Sequence, residues 1–176
     1  MKHHAWPLFS SPLFSIETGL KKNELKKLET KLKKEKTIHS PINKISENPK
    51  QNSFHTGVEG VLQKEEYETL KDVVIKSIRF TNDTYFKYKT NFIISKSWVA
   101  WASSKSSCTT HRHHNCFLSG VVYIKAKEEC GDIEFENFNH RDISVEPRHK
   151  DALYNVERFW VTPTPGLLLL FPSNMY

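Results

Sequence analysis

The sequence predicts a mainly β protein with flanking helices, an α+β fold class, and three observations lead to this prediction. Two segments between residues 21 and 78 carry apolar residues at helical spacing. After residue 81 the chain instead holds short segments rich in β-branched and aromatic residues, bounded by Gly, Pro, Asn or Ser. Because the helices precede the strands, alternating βαβ units are disfavoured. We expect helices on the outside of an antiparallel sandwich or jelly roll.

The size and composition indicate one globular domain. The chain has 176 residues, of which 38% are hydrophobic and 12% aromatic. We expect a single domain over residues 1–176. Residues 1–80 would hold an N-terminal strand, two helices and a polar loop, and residues 81–176 would hold the β core.

Two helices are expected in the first half of the chain. In residues 21–36, three leucines recur at i, i+3 and i+7 (Leu25, Leu28 and Leu32). In residues 61–78, four apolar residues recur at helical spacing (Tyr67, Leu70, Val74 and Ile78). The polar residues 37–57, with two prolines, predict a long irregular connection between the helices.

The net charge of +6 comes mostly from the first helix. Residues 21–36 contain eight lysines and three glutamates. No aromatic residues interleave these lysines for base stacking, so a solvated amphipathic helix is favoured over a nucleic-acid interface. Nucleic acid is therefore not expected as a partner, and the oligomeric state is left open.

Five strands are expected in the second half. They are "FIISKSWVAW" (92–101), "FLSGVVYI" (117–124), "DIEFENF" (132–138), "RFWVT" (158–162) and "GLLLLF" (166–171).

The sequence predicts a soluble cytoplasmic protein. No apolar run has membrane-spanning length, and Pro7 and Pro12 interrupt the apolar stretch near the N-terminus, so it does not form a signal-peptide core. Cys108, Cys116 and Cys130 are odd in number and lack CxxC spacing, which predicts free thiols.

The segment "HRHH" contains the candidate metal ligands. In an extended chain, His111 and His113 project to one face, whereas Arg112 and His114 face the other way. Two imidazoles so placed can bind one metal ion, and two-histidine sets with a carboxylate are typical of non-haem Fe(II) oxygenases. The spacing alone favours the alternative of an exposed polar loop, because an isolated HxH pair is a weak signal.

The surrounding motifs resemble a known family. The run "SWVAW…THRHHNCFLSGVVYIKAKEECGDIEFENF…VTPTPGLLLLFPSNMY" is similar to 2-oxoglutarate/Fe(II)-dependent oxygenases of marine phages and bacteria, and "WPLFSSPLFSIE" resembles their opening strand. The resemblance implies a double-stranded β-helix, which is a cupin-like jelly roll with Fe(II) in its mouth. It also implies 2-oxoglutarate as co-substrate and hydroxylation of a small molecule or protein side chain.

The resemblance also implies roles for particular residues. His111 corresponds to the first metal ligand, and His113 stands where the superfamily has a carboxylate. Tyr123 would offer its hydroxyl to the distal carboxylate of 2-oxoglutarate, and Ser119 lies on the same face of that strand. A core tyrosine with its hydroxyl at the rim is an equally open interpretation of Tyr123.

Two family groups have no counterpart in the sequence. The family continues after "FPSxxx" with a distal histidine and a co-substrate arginine, and both would lie beyond Tyr176. His140 and His149 lie in a polar stretch with Asp142 and Glu146, which predicts a loop. We therefore expect a C-terminally truncated oxygenase, with its activity left open, whose "GLLLLF" strand has an open apolar edge. The alternative is a non-catalytic, cupin-like binding or structural protein related to phages.

Overall fold

The computed structural model describes residues 10–36, 38–39, 54–56, 60–102, 107–137 and 156–176. These ranges contain two α-helices, α1 (Lys22–Leu32) and α2 (Glu68–Thr81). The strands are β1 (Phe14–Glu17), β2 (Ile38–His39), β3 (Phe54–His55), β4 (Ala100–Trp101), β5 (Leu118–Val122), β6 (Ile133–Glu136), β7 (Arg158–Val161) and β8 (Leu167–Pro172).

All strand pairs in these ranges are antiparallel. The three sheets have the strand orders β1-β8-β5, β2-β3-β4 and β6-β7. The expected mixture of helices and antiparallel sheets is therefore confirmed. The three small sheets do not by themselves establish a jelly roll.

The β1-β8-β5 sheet lies between two apolar layers. Successive residues of a strand point to opposite faces. On one face, Val122 packs with buried residues from the helical half such as Leu28 and Tyr67. On the other face, Val121 and Leu169 pack against Phe135 of β6. We call this second face the inner face.

Gly120 permits close packing of β5 on β8. A Cβ atom at this position would lie 2.7 Å from Cδ2 of Leu170 and 2.9 Å from the carbonyl oxygen of Leu169. The motif "LSGVV" therefore needs glycine at its centre because leucine side chains of β8 cover the position.

The predicted helices are confirmed, with a different start for the second. Leu25, Leu28 and Leu32 of α1 are buried, as their spacing indicates. The second segment begins with two 3-10 turns (Val61–Gln63 and Glu65–Tyr67) before α2. A π-helical turn, Asn82–Phe86, extends its C-terminal end.

The strand expected over residues 92–101 is wrong for most of its length, since only Ala100–Trp101 is β-strand. Ser97 explains the difference. Its carbonyl accepts from the backbone N–H of Val61, and its Oγ accepts from that of Leu62. These two bonds hold Ser97 against the 3-10 turn Val61–Gln63. The carbonyl of Ser97 therefore bonds to this turn and not to a neighbouring strand.

The open apolar edge expected at "GLLLLF" is also wrong. β8 is the central strand of its sheet, paired with β1 on one side and β5 on the other. Its four leucines are at most 7% exposed. The N-terminal strand is confirmed as β1, and it provides one of these two pairings.

The remaining expectations concern membranes and thiols. None of the helices in the described ranges is long and apolar enough to cross a membrane. The three cysteines are free and exposed, as predicted. Of the expected connection over residues 37–57, only β2, β3 and Thr56 are among the described positions.

An ion pair attaches α1 to the segment that follows β5. Nζ of Lys125 lies 2.6 Å from Oε1 of Glu29, and Nζ of Lys33 lies 2.7 Å from the same oxygen. The hydrogen bond from Lys125, followed by that from Lys33, lowers the pKa of Glu29 from 4.5 to about 2.

We expect Glu29→Gln to be less stable than the wild type at neutral pH. A lowered pKa stabilises the fold above the unfolded value of 4.5, and the contribution is lost as the pH falls toward about 2. Because the pair is close to solvent, the difference in unfolding free energy should be at most about 1 kcal/mol. Urea unfolding across this pH range measures it. Glu17→Gln on β1 is the control, and a difference that persists at the lowest pH would contradict the assignment.

Candidate metal and co-substrate site

The two candidate metal ligands lie side by side just before β5. The ring centroids of His111 and His113 are 5.2 Å apart. The backbone N–H of His113 donates to the carbonyl of Ser173 over 3.1 Å, and the N–H of Ser173 donates to the carbonyl of Phe117 over 3.1 Å. The turn after β8 therefore holds the histidine segment against the end of the sheet.

The hydrogen bond of His111 and the surroundings of His113 both suit metal binding. Nδ1 of His111 is 2.8 Å from the carbonyl oxygen of Thr109, an acceptor, so Nδ1 donates this hydrogen bond and Nε2 is the ring nitrogen left for a metal ion. The pKa of His113 is lowered, first by burial and then by the neighbouring His111 and His114. This lowering favours the neutral imidazole, which is the form that binds metals.

Two aromatic side chains, those of Trp98 and Tyr176, contact the histidine segment. The indole of Trp98 lies 5.4 Å from the ring of His113, measured between centroids. The guanidinium of Arg112 lies over the ring of Tyr176 at 5.2 Å from its centroid. One side of the pair is thus bounded by an aromatic ring, while Arg112 makes a separate contact.

Ser119 supports the histidine segment through Ser173. The two Oγ atoms are 2.8 Å apart, and Ser173 is only 2% exposed. Ser173 therefore binds β5 through its side chain and His113 through its backbone. The sequence includes Ser173 in the "FPS" motif but carries no signal for its contact with His113, because that bond uses a main-chain carbonyl.

Tyr123 lies farther along the same face as Ser119. It packs with the inner-face cluster around Phe135 and Leu169. Burial raises the pKa of its hydroxyl to about 12, with a smaller contribution from Cys130. A neutral phenol that stays protonated can donate a hydrogen bond to a carboxylate.

The histidine pair lacks a third ligand among the described residues. No group of three His, Cys, Asp or Glu side chains in that part of the chain is placed to hold a metal ion. His140, His149, Asp142 and Glu146 all lie outside the described residues. Two imidazoles suit Fe(II) or Zn²⁺ and account for two positions of a facial triad. The pair therefore fits a metal in part.

The fold and the site together define an α+β protein with a two-histidine candidate metal site at the end of an antiparallel sheet. Residues 96–176, just under half of the chain, match the model of the family described as "Putative 2OG-Fe(II) oxygenase". No curated protein and no solved structure matches the chain. The matched region contains both histidines, Ser119, Tyr123 and Ser173.

Proposed function

We propose that the chain is a 2-oxoglutarate/Fe(II)-dependent dioxygenase of the hydroxylase type. The observation that carries the proposal is the histidine pair. His111 and His113 lie with adjacent rings within the region that matches the oxygenase family, and burial lowers the pKa of His113. We assign both as ligands of Fe(II), with the substrate left unassigned.

The inner face of the β1-β8-β5 sheet would form the floor of the site. In a jelly roll, a facing sheet covers such a floor, and β6-β7 already packs on it through Phe135 and Val161. Bound Fe(II) with 2-oxoglutarate would supply the oxidising chemistry for hydroxylation. The residues of this chain would hold the metal, orient the co-substrate and keep water away from it.

Tyr123 is our candidate for binding the distal carboxylate of 2-oxoglutarate. Its hydroxyl is a donor at neutral pH, as in any tyrosine with the ordinary pKa of 10, and burial raises that pKa further to about 12. Ser119 lies between the histidine segment and Tyr123 on the same face of the strand. Since the Ser119 hydroxyl contacts Ser173, we propose that it positions His113 in addition to bordering the co-substrate.

Titration of 2-oxoglutarate into the anaerobic, Fe(II)-loaded protein tests the function. We expect binding that requires Fe(II) and, after O₂ is admitted, formation of succinate. Tyr123→Phe should weaken 2-oxoglutarate about tenfold or more, since a hydrogen bond to a charged group contributes about 1.5–3 kcal/mol. Its Fe(II) affinity should be unchanged.

Tyr85→Phe removes a hydroxyl from an exposed tyrosine and serves as the control. Equal 2-oxoglutarate affinity in Tyr123→Phe and Tyr85→Phe would refute the role of Tyr123 alone. An Fe(II)-loaded wild type that does not bind 2-oxoglutarate would refute the function.

A non-catalytic, cupin-like binding protein is the second candidate. One observation favours it, which is that the described residues supply no third ligand to the histidine pair. This alternative predicts that the protein binds a metal ion but forms no succinate from 2-oxoglutarate in the presence of O₂.

A further inference from the structure

Six aromatic rings form a continuous patch beside the histidine segment. They belong to Phe14, Tyr85, Phe86, Tyr88, Phe92 and Phe117, and we call them the aromatic patch. Phe117 is central, with its ring centroid 5.3 Å from that of Tyr88 and 5.4 Å from that of Phe92. Phe117 is also bonded through its carbonyl to Ser173, which holds His113.

Much of the aromatic patch is open to solvent. The exposed fractions are 61% for Tyr85, 52% for Tyr88 and 49% for Phe117. In the stretch "YFKYK" (85–89), Lys87 lies between Phe86 and Tyr88, and Lys89 follows Tyr88. Both lysines are exposed. Stacking surfaces and cations thus alternate along the chain.

A buried asparagine fixes the shape of this stretch. The side chain of Asn82, 8% exposed, donates from Nδ2 to the carbonyl of Tyr88 and accepts from the N–H of Tyr88 at Oδ1. The intervening Lys87, with a φ of 56°, is the left-handed residue that ends the π-helical turn. Lys87 and Tyr88 are therefore held in one defined conformation.

Further cations adjoin the aromatic patch. A groove of about 400 Å³ runs between α2 and residues 91–94, and Lys71, Arg79 and Phe92 line it. Phe92 belongs to both surfaces. Across residues 79–96 there are four cations, Arg79, Lys87, Lys89 and Lys96, and one acid, Asp83. The combined surface is therefore aromatic and positive.

We propose that the aromatic patch and the adjoining groove bind single-stranded nucleic acid. Exposed rings stack on bases, whereas lysine and arginine side chains attract the phosphates between them. An apolar peptide would not need the interleaved cations. The lysines of α1 do not predict such a site because no aromatic residues lie among them. In residues 85–89, by contrast, aromatic residues and lysines are interleaved. The proposal concerns binding and does not depend on the metal site.

Fluorescence anisotropy of the full chain with a labelled oligothymidylate single strand tests the proposal. We expect binding that weakens as salt rises. The double variant Tyr85→Ala/Tyr88→Ala should weaken it by at least about tenfold, because base stacking on one ring contributes about fivefold or more and the variant removes two rings. The matched control is Phe159→Ala/Trp160→Ala, which removes two exposed aromatic residues from β7 and should leave affinity unchanged.

A pair of lysine variants tests the electrostatic part. Lys87→Ala/Lys89→Ala should reduce the slope of log affinity against log salt by about 1.4, at about 0.7 per phosphate contact on a single strand. Lys26→Ala/Lys27→Ala on α1 removes the same charge and should change the slope less. Circular dichroism checks that each variant is folded.

Three results would overturn the proposal. The first is no binding of the oligonucleotide by the wild type at low salt. The second is equal loss of affinity in both lysine variants with no effect of the tyrosine variant, which would indicate unspecific charge attraction. The third is tighter binding of polyglutamate than of the oligonucleotide at equal charge, which would indicate an acidic protein partner.

Discussion

Fe(II) titrated anaerobically into the wild type is expected to bind at one site, and His111→Ala or His113→Ala should each abolish that binding. The two rings are 5.2 Å apart between centroids, and the contact of Nδ1 of His111 with the carbonyl of Thr109 leaves its Nε2 free for the metal. Loss of a partner in the second coordination shell costs about 10–100-fold in metal affinity. Loss of a ligand should therefore exceed that range.

His114→Ala is the matched control for this experiment. It removes one imidazole from the same segment, but His114 is exposed and is predicted to face away from the pair. Its Fe(II) affinity should stay close to that of the wild type. If all three alanine variants bind Fe(II) as the wild type does, neither His111 nor His113 is a ligand.

A zinc titration of the same variants shows whether Zn²⁺ binds through the same two histidines as Fe(II). Nitrogen ligands bind Zn²⁺ more tightly than Fe(II) in the usual order of divalent metals. We therefore expect tighter Zn²⁺ binding at the same site, with the same dependence on His111 and His113. Zn²⁺ affinity that both alanine variants retain would place zinc elsewhere.

Leu169→Ala is expected to cause the largest loss of stability of the variants considered. Leu169 is 0% exposed and lies in the central strand, where it packs with Phe135 and Leu167. Removing three carbons from a buried leucine costs about 2–5 kcal/mol of unfolding free energy, because burial is lost and a cavity remains. Urea unfolding followed by circular dichroism measures the difference.

Ile93→Ala is the control for Leu169→Ala. It removes a side chain of the same size, but Ile93 is 84% exposed. Its effect should lie within about 0.5 kcal/mol of the wild type. A loss as small in Leu169→Ala would mean that β8 is not the central strand of the core.

Patterns that depend on neighbouring residues were predicted correctly from the sequence. The stripe of Leu25, Leu28 and Leu32 predicted α1, because residues three and four apart share one face of a helix. Alternation along β5 indicated that Ser119, Val121 and Tyr123 share a face, and Val121 and Tyr123 both pack in the inner-face cluster. The candidate ligands came from the spacing of His111 and His113 together with the family resemblance.

Features that depend on distant partners were missed or predicted wrongly. "FIISKSWVAW" has strand composition, but the bonds of Ser97 to the turn before α2 replace most of the strand. "GLLLLF" was expected at an edge, whereas β1 occupies that side of β8. The bond between His113 and Ser173 joins residues sixty positions apart, and local patterns do not reveal it.

The helical stripes, most of the strand segments and the choice of His111 and His113 as candidate ligands could be predicted from short segments, since each follows from neighbouring side chains. Three features emerged only in the folded chain, namely which strand is central, what holds the histidine segment, and that six rings from four parts of the chain meet as the aromatic patch. Pairing and packing depend on residues far apart in the chain. Their positions are set by the whole core and not by neighbours in sequence.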